Sequence, residues 1–89
     1  MDYHSQLIEA FCKNLLEFGF PPLKYRKNVK WEKGEIDIVL LGELENALLE
    51  VKSNSNKMGK FTGKQFDLYR EYDSSADIYL LMGNKNYSL

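Results

Sequence analysis

Residues 34–52 read GEIDIVLLGELENALLEVK, and this stretch decides the fold. EIDIVLL and NALLEVK are rich in Ile, Val and Leu, which suit strands, and the GELE between them has the glycine and polar residues of a hairpin connection. The pattern predicts two antiparallel strands. Apolar runs this continuous are buried on both faces, so layers are expected above and below them. Three charges, Asp37, Glu50 and Lys52, nevertheless sit inside the two most apolar segments of the chain.

Upstream of the hairpin, KYRKNVKW alternates weakly through Tyr25, Val29 and Trp31 and reads as a further strand, turning at EKGE around Gly34. From Tyr3 to Phe18 the residues Leu7, Ile8, Phe11, Leu15 and Phe18 recur at helical spacing until Gly19, Pro21 and Pro22 stop the pattern. Downstream, SNSNKMGKFTG reads as a polar loop. Gln65, Leu68, Tyr69 and Tyr72 share one face of a helix over about residues 62–72, and DIYLLM supplies a last strand before NKNYSL. The predicted order is α-β-β-β-α-β with no internal repeat: an α/β fold with a small mixed central β-sheet flanked by helices, in a single domain over residues 1–89.

The length of 89 residues is near the lower end of what buries a self-sufficient core, while 44% hydrophobic and 13% aromatic content marks a chain that folds. No apolar run reaches the roughly 18 residues of a membrane span, and MDYHSQLIEAF lacks a basic leader, so no membrane is expected and an intracellular place, cytoplasm or nucleoid, is. Cys12, the one cysteine, lies in the helical apolar pattern and reads as a buried structural thiol.

The net charge of -1 conceals a segregation along the chain. Residues 21–34 hold Lys24, Arg26, Lys27, Lys30 and Lys33 against Glu32 alone, and residues 52–64 hold Lys52, Lys57, Lys60 and Lys64 with no acid. Between them lie Glu35, Asp37, Glu43, Glu45 and Glu50 with no base. Two basic flanks around an acidic centre suit a site that grips a polyanion and holds a cation; solvated loops and strand edges account for the lysines equally well.

Strand alternation puts Glu35, Asp37 and Val39 on one face, with Ile36, Ile38 and Leu40 on the other, and it puts Glu50 with Lys52. If the strands pair with Asp37 near Glu50, both carboxylates and the ammonium converge. Two carboxylates within about 4–6 Å raise one another's pKa, a conflict that a divalent cation removes. A hard ion such as Mg²⁺ takes one or two carboxylates together with phosphate oxygens. Lys52 then neutralises a phosphoryl oxygen or helps deprotonate water, and the parts match phosphodiester hydrolysis. The alternative is a cross-strand ion pair at a solvated edge, worth roughly 0.2–1 kcal/mol. Against it stands the cost of a partly buried charged trio with no use.

Asp37, twelve intervening residues, then Glu50-Val51-Lys52, in the order α-β-β-β-α-β across nearly the whole chain, resembles the D…ExK signature of the PD-(D/E)xK nuclease superfamily, with its restriction-endonuclease-like fold. Ile36 stands where that family often has proline. The resemblance implies Asp37 and Glu50 as metal ligands, the Val51 carbonyl as a further ligand and Lys52 as the catalytic lysine. It also implies Glu9 of the first helix as an additional acid at the metal or its water shell, although Glu9 equally suits an exposed surface position. Gln65 corresponds to a polar residue that some branches place on the second core helix, facing the site. SADIYLLMGNKNYSL is similar to the closing strand of archaeal Holliday junction resolvases, and EVKSNSNK with GKQFDLY to the VRR-NUC branch. Junction resolvases act as dimers, so a homodimer is among the expected partners.

The expected function is therefore a Mg²⁺-dependent DNA endonuclease, with Mn²⁺ as a substitute, acting on branched or otherwise structured DNA such as a Holliday junction or flap. A non-catalytic nucleic-acid-binding or assembly module that retains the fold is the alternative. Lys57, Lys60 and Lys64, just after the catalytic strand, and Lys33 in the first basic flank are the candidate phosphate contacts. Tyr25, Trp31, Phe61 and Phe66 are of the type that stacks on bases, but core packing explains most of them more simply. His4, the one histidine, reads as a surface or capping residue at the start of the first helix.

Overall fold

A computed structural model describes residues 2–20, 24–52 and 63–82. They form a small α/β fold with two helices and a four-stranded mixed sheet. Helix α1 (Tyr3–Lys13) and a 3₁₀ turn (Leu15–Phe18) precede strands β1 (Lys24–Trp31), β2 (Gly34–Leu41) and β3 (Ala47–Lys52); helix α2 (Gly63–Tyr72) and strand β4 (Asp77–Met82) follow. The sheet order is β1-β2-β3-β4, antiparallel over the first three strands and parallel between β3 and β4.

Helix α1 begins where Asp2 accepts the Ser5 backbone N–H at 2.8 Å, a side-chain cap for an otherwise unpaired amide. It ends earlier than the apolar periodicity predicts, because the Asn14 side chain donates to the Ala10 carbonyl at 2.8 Å and competes with the helical ladder. The chain tightens into the 3₁₀ turn and stops at Gly19, whose φ of +88° favours a residue without Cβ. Gly42 is demanded differently: a Cβ there would lie 2.2 Å from the Glu45 carbonyl oxygen, so the β2–β3 connection closes only over glycine.

The apolar stripe of α1, Leu7, Ile8, Phe11 and Cys12, packs with Leu15 on Ile38, Leu40, Leu49 and Val51. On the opposite face Tyr69 of α2 packs with Ile36, Val39, Leu48 and Ala76. Strict alternation holds in β3 and breaks in β2, since Ile36 lies with Val39 on the α2 side instead of with Ile38 and Leu40 beneath α1. The cause is local. The register skips the Asn28–Asp37 position, where Asn28 adopts a φ of +51°, a left-handed conformation that asparagine tolerates better than most residues. The β2–β3 ladder likewise stops at Ile38–Leu49, one step short of Asp37 and Glu50. The sheet thus opens on both sides of Asp37.

Candidate functional site

Asp37 and Glu50 are the two buried charged residues among the described ones, 8% and 9% exposed. Continuing the β2–β3 register by one step would set them opposite each other, but no ladder pair forms there. Asp37 Oδ2 instead accepts the Val51 backbone N–H at 2.8 Å, so the side chain replaces a strand neighbour as that amide's partner. Burial pushes the Asp37 carboxyl up to about 6; the Val51 amide opposes that shift and the Glu50 charge adds to it.

Glu50 is held from two sides. Lys52 Nζ lies 3.1 Å from its Oε1, with both side chains 11% exposed, and the Tyr69 hydroxyl donates to its Oε2. Strand alternation makes the lysine contact, because Glu50 and Lys52 are two residues apart on β3. Helix α2 brings Tyr69 over the same face. Burial first, then the bond to Glu50, pushes the Tyr69 pKa far up, so the hydroxyl keeps its proton and remains a donor.

His4 reaches the same point from α1. Its Nε2 lies 2.8 Å from the Val51 carbonyl oxygen and 3.4 Å from Asp37 Oδ2. A carbonyl oxygen only accepts, so this nitrogen carries the proton. The sequence places His4 at the surface, because a contact 47 residues away in the chain has no local signal. Helical spacing puts Tyr69 on the apolar face of its helix, where its ring does pack, and only the strand opposite shows what its hydroxyl meets.

The other expected site residues separate into groups. Glu9 pairs with Lys27 of β1 at an exposed position, and that contact holds its carboxyl below the usual range. Lys33 lies 3.1 Å from Glu71 on the surface. Lys64 is exposed on the first turn of α2. Lys57, Lys60 and Phe61 lie outside the described residues. The Cys12 thiol, buried beneath α1, is pushed up to about 11 by that burial and stays protonated at neutral pH.

Gln65 faces the site. It lines a cleft of about 310 Å³ between α2 and the β1–β2 hairpin, with Trp31, Gly34, Leu68, Asp37 and Glu50. Two buried polar atoms of this cleft, Trp31 Nε1 and Gln65 Oε1, have no hydrogen-bond partner among the described residues. Each such group typically costs about 1–3 kcal/mol while it stays unmet. The Trp31 ring is fixed by an edge contact with Tyr72, with ring centroids 5.5 Å apart.

Asp37, Glu50 and the Val51 carbonyl form a set of hard oxygen donors, the type that suits Mg²⁺ or Mn²⁺. Among the described residues no three His, Cys, Asp or Glu side chains gather into one cation site. Two carboxylates, one with a raised pKa and both largely withdrawn from solvent, are chemically matched to a divalent cation that removes their repulsion. No family model, curated protein or solved structure matches the chain.

Proposed function

We propose that this protein is a Mg²⁺-dependent DNA endonuclease with a restriction-endonuclease-like core, acting on branched or otherwise structured DNA. What supports the reading most is Glu50 between two partners where the β2–β3 ladder opens: Lys52 Nζ lies 3.1 Å from its Oε1, and its charge acts on the Asp37 carboxyl, with both carboxylates largely buried. Asp37, Glu50 and the Val51 carbonyl would hold the cation. When bound, it supplies positive charge for the reacting phosphodiester and lowers the pKa of water.

The side chains have separate tasks. Lys52 brings a second positive charge that stabilises the developing negative charge on the phosphate. Its position depends on Glu50, which fixes the ammonium from the same strand face. Tyr69 holds the far oxygen of Glu50 and so sets the rotation of that carboxylate. His4 holds the Val51 carbonyl through Nε2–H. Lys64, exposed at the start of α2, would meet a DNA backbone without reading its sequence. Symmetric cutting of a four-way junction would take two copies of the chain, which sedimentation of the protein on a junction tests.

A second reading is a nucleic-acid-binding module that does not cut, and one observation favours it: both Glu50 oxygens are already engaged, one by Lys52 and one by Tyr69. The deciding experiment is cleavage of labelled single-stranded, duplex, flap, nicked and four-way-junction DNA with Mg²⁺, Mn²⁺ or chelator, using wild type beside Asp37→Asn and Lys52→Ala. Cation-dependent cutting lost in both variants supports the nuclease. Binding of these substrates without cutting under any metal condition supports the second reading and removes the first.

A further inference from the structure

The cleft beside Asp37 and Glu50 has a character that hydrolysis of a phosphodiester does not require. It buries one unpartnered donor, Trp31 Nε1, and one unpartnered acceptor, Gln65 Oε1, between α2 and the β1–β2 hairpin. Buried polar groups are nearly always satisfied in folded proteins, so two in one cleft mark a place where a ligand completes the bonding. Neither atom is open to solvent, so a ligand reaches them only as the side chains over them shift, and it must then present an acceptor to the indole N–H and a donor to the amide oxygen.

Charge narrows the ligand further. Glu35, Asp37 and Glu50 line the same cleft, which disfavours a phosphate or carboxylate inside it. Shape narrows it again. The Trp31 ring, Ile36 and Leu68 provide apolar lining, and a volume of about 310 Å³ is at the lower end for small-ligand sites: room for one flat heterocycle, not for a base pair. At Gly34 a Cβ would only just touch Trp31 Nε1 and Leu68 Cδ1, each at 4.0 Å, so the missing side chain leaves that corner open.

We propose that this cleft is a subsite for a single unpaired nucleobase of DNA, bonded by Trp31 Nε1 and Gln65 Oε1 and seated next to the Asp37–Glu50 centre. The assignment of DNA as ligand rests on the nuclease reading. Every nucleobase carries an N–H donor beside an acceptor on its Watson–Crick edge, and that edge is free only when the base is unpaired or flipped out. The cleft therefore selects DNA by structure and tolerates any base. A branch point or bulge supplies such a base, and its own backbone then lies beside the carboxylates.

Trp31 is the sole tryptophan of the chain, so its fluorescence reports directly on the cleft. The experiment compares a labelled duplex carrying one unpaired adenine with the same duplex made abasic at that position, in chelator so that nothing is cut. The expected result is at least tenfold tighter binding of the adenine bulge, with a change in Trp31 emission that the abasic duplex does not produce. Gly34→Leu, which fills the open corner, should abolish the preference while circular dichroism shows the fold intact. Trp31→Phe, followed by anisotropy of the DNA label, should reduce the preference about tenfold and covers the case in which Gly34→Leu fails to fold. Equal affinity for the two duplexes, no binding of either, or free deoxyadenosine binding as tightly as the bulged duplex each overturns the subsite. Adding Mg²⁺ separates the two proposals: preference without cutting leaves the subsite and sinks the nuclease, whereas cutting without preference does the reverse.

Discussion

The two faces of the sheet are built to different ends. Among the described residues, nine buried apolar or thiol-bearing side chains close into one cluster beneath α1, with Leu7, Ile8 and Phe11 each 1% exposed. Beneath α2 the described residues supply five buried members, and Tyr69 is the one that the helix contributes. The first face excludes water and holds the fold. The second gives up packing to accommodate Glu50, Lys52 and a cleft with unmet polar atoms. In so short a chain one face carries stability so that the other can hold groups that are costly to bury.

The contrast is easiest to break at Phe11. Phe11→Ala should cost about 3–5 kcal/mol, enough to unfold much of the population, read as a fall in the urea midpoint at unchanged slope. A loss no larger than that of the α2-face variants would mean the α1 cluster is not the main source of stability. Asp37→Asn should do the opposite: cleavage falls by about 10²–10³ or more, while the folded state at pH 7 is at least as stable, since the amide still accepts the Val51 N–H without a buried charge. Thermal melts beside cleavage rates check the pair.

The same carboxyl gives a pH dependence with a definite sign. Its pKa in the folded chain, about 6, lies above the ordinary 3.8, so the folded state holds that proton more tightly. The stabilisation is fully present below about pH 4 and is lost as pH rises through 6, for a total of at most about 3 kcal/mol. Metal-free melts between pH 4 and 7 should show a decline in wild type that Asp37→Asn lacks; parallel curves would mean the carboxylate is solvated.

Smaller effects sharpen the picture. Tyr69→Phe removes the donor on Glu50 Oε2 while keeping the ring in its cluster, and should cost about 1–3 kcal/mol in urea titrations. Lys27→Met, which breaks an exposed contact with Glu9, should move the midpoint least of all. A loss as large as that of Phe11→Ala would transfer importance from the core to the surface.

How far the sequence could be read depended on the range of the interaction involved. The hairpin of residues 34–52, the last strand and both helices rest on local periodicity and turn residues, and they lie where those patterns place them, except that α1 gives way to a 3₁₀ turn over its expected last residues. The shared face of Glu50 and Lys52 follows from two-residue spacing alone. The displaced Ile36 depends on Asn28, a residue of the neighbouring strand with a left-handed backbone, and the pattern within β2 carries no trace of it. Glu9 faces Lys27 for a similar reason, because the angle at which α1 crosses the sheet is set by packing and not by the helix itself.

Sequence by itself determined the elements, their order, the antiparallel hairpin and the presence of three charges in its strands, since period, turn chemistry and residue type are properties of neighbours in the chain. Tertiary structure alone decided that the ladder opens at Asp37, that His4 and Tyr69 approach the carboxylate pair from opposite helices, and that Trp31 and Gln65 face one cleft. These contacts join residues up to 47 positions apart, and the distance between such residues is fixed only when both faces of the sheet are packed.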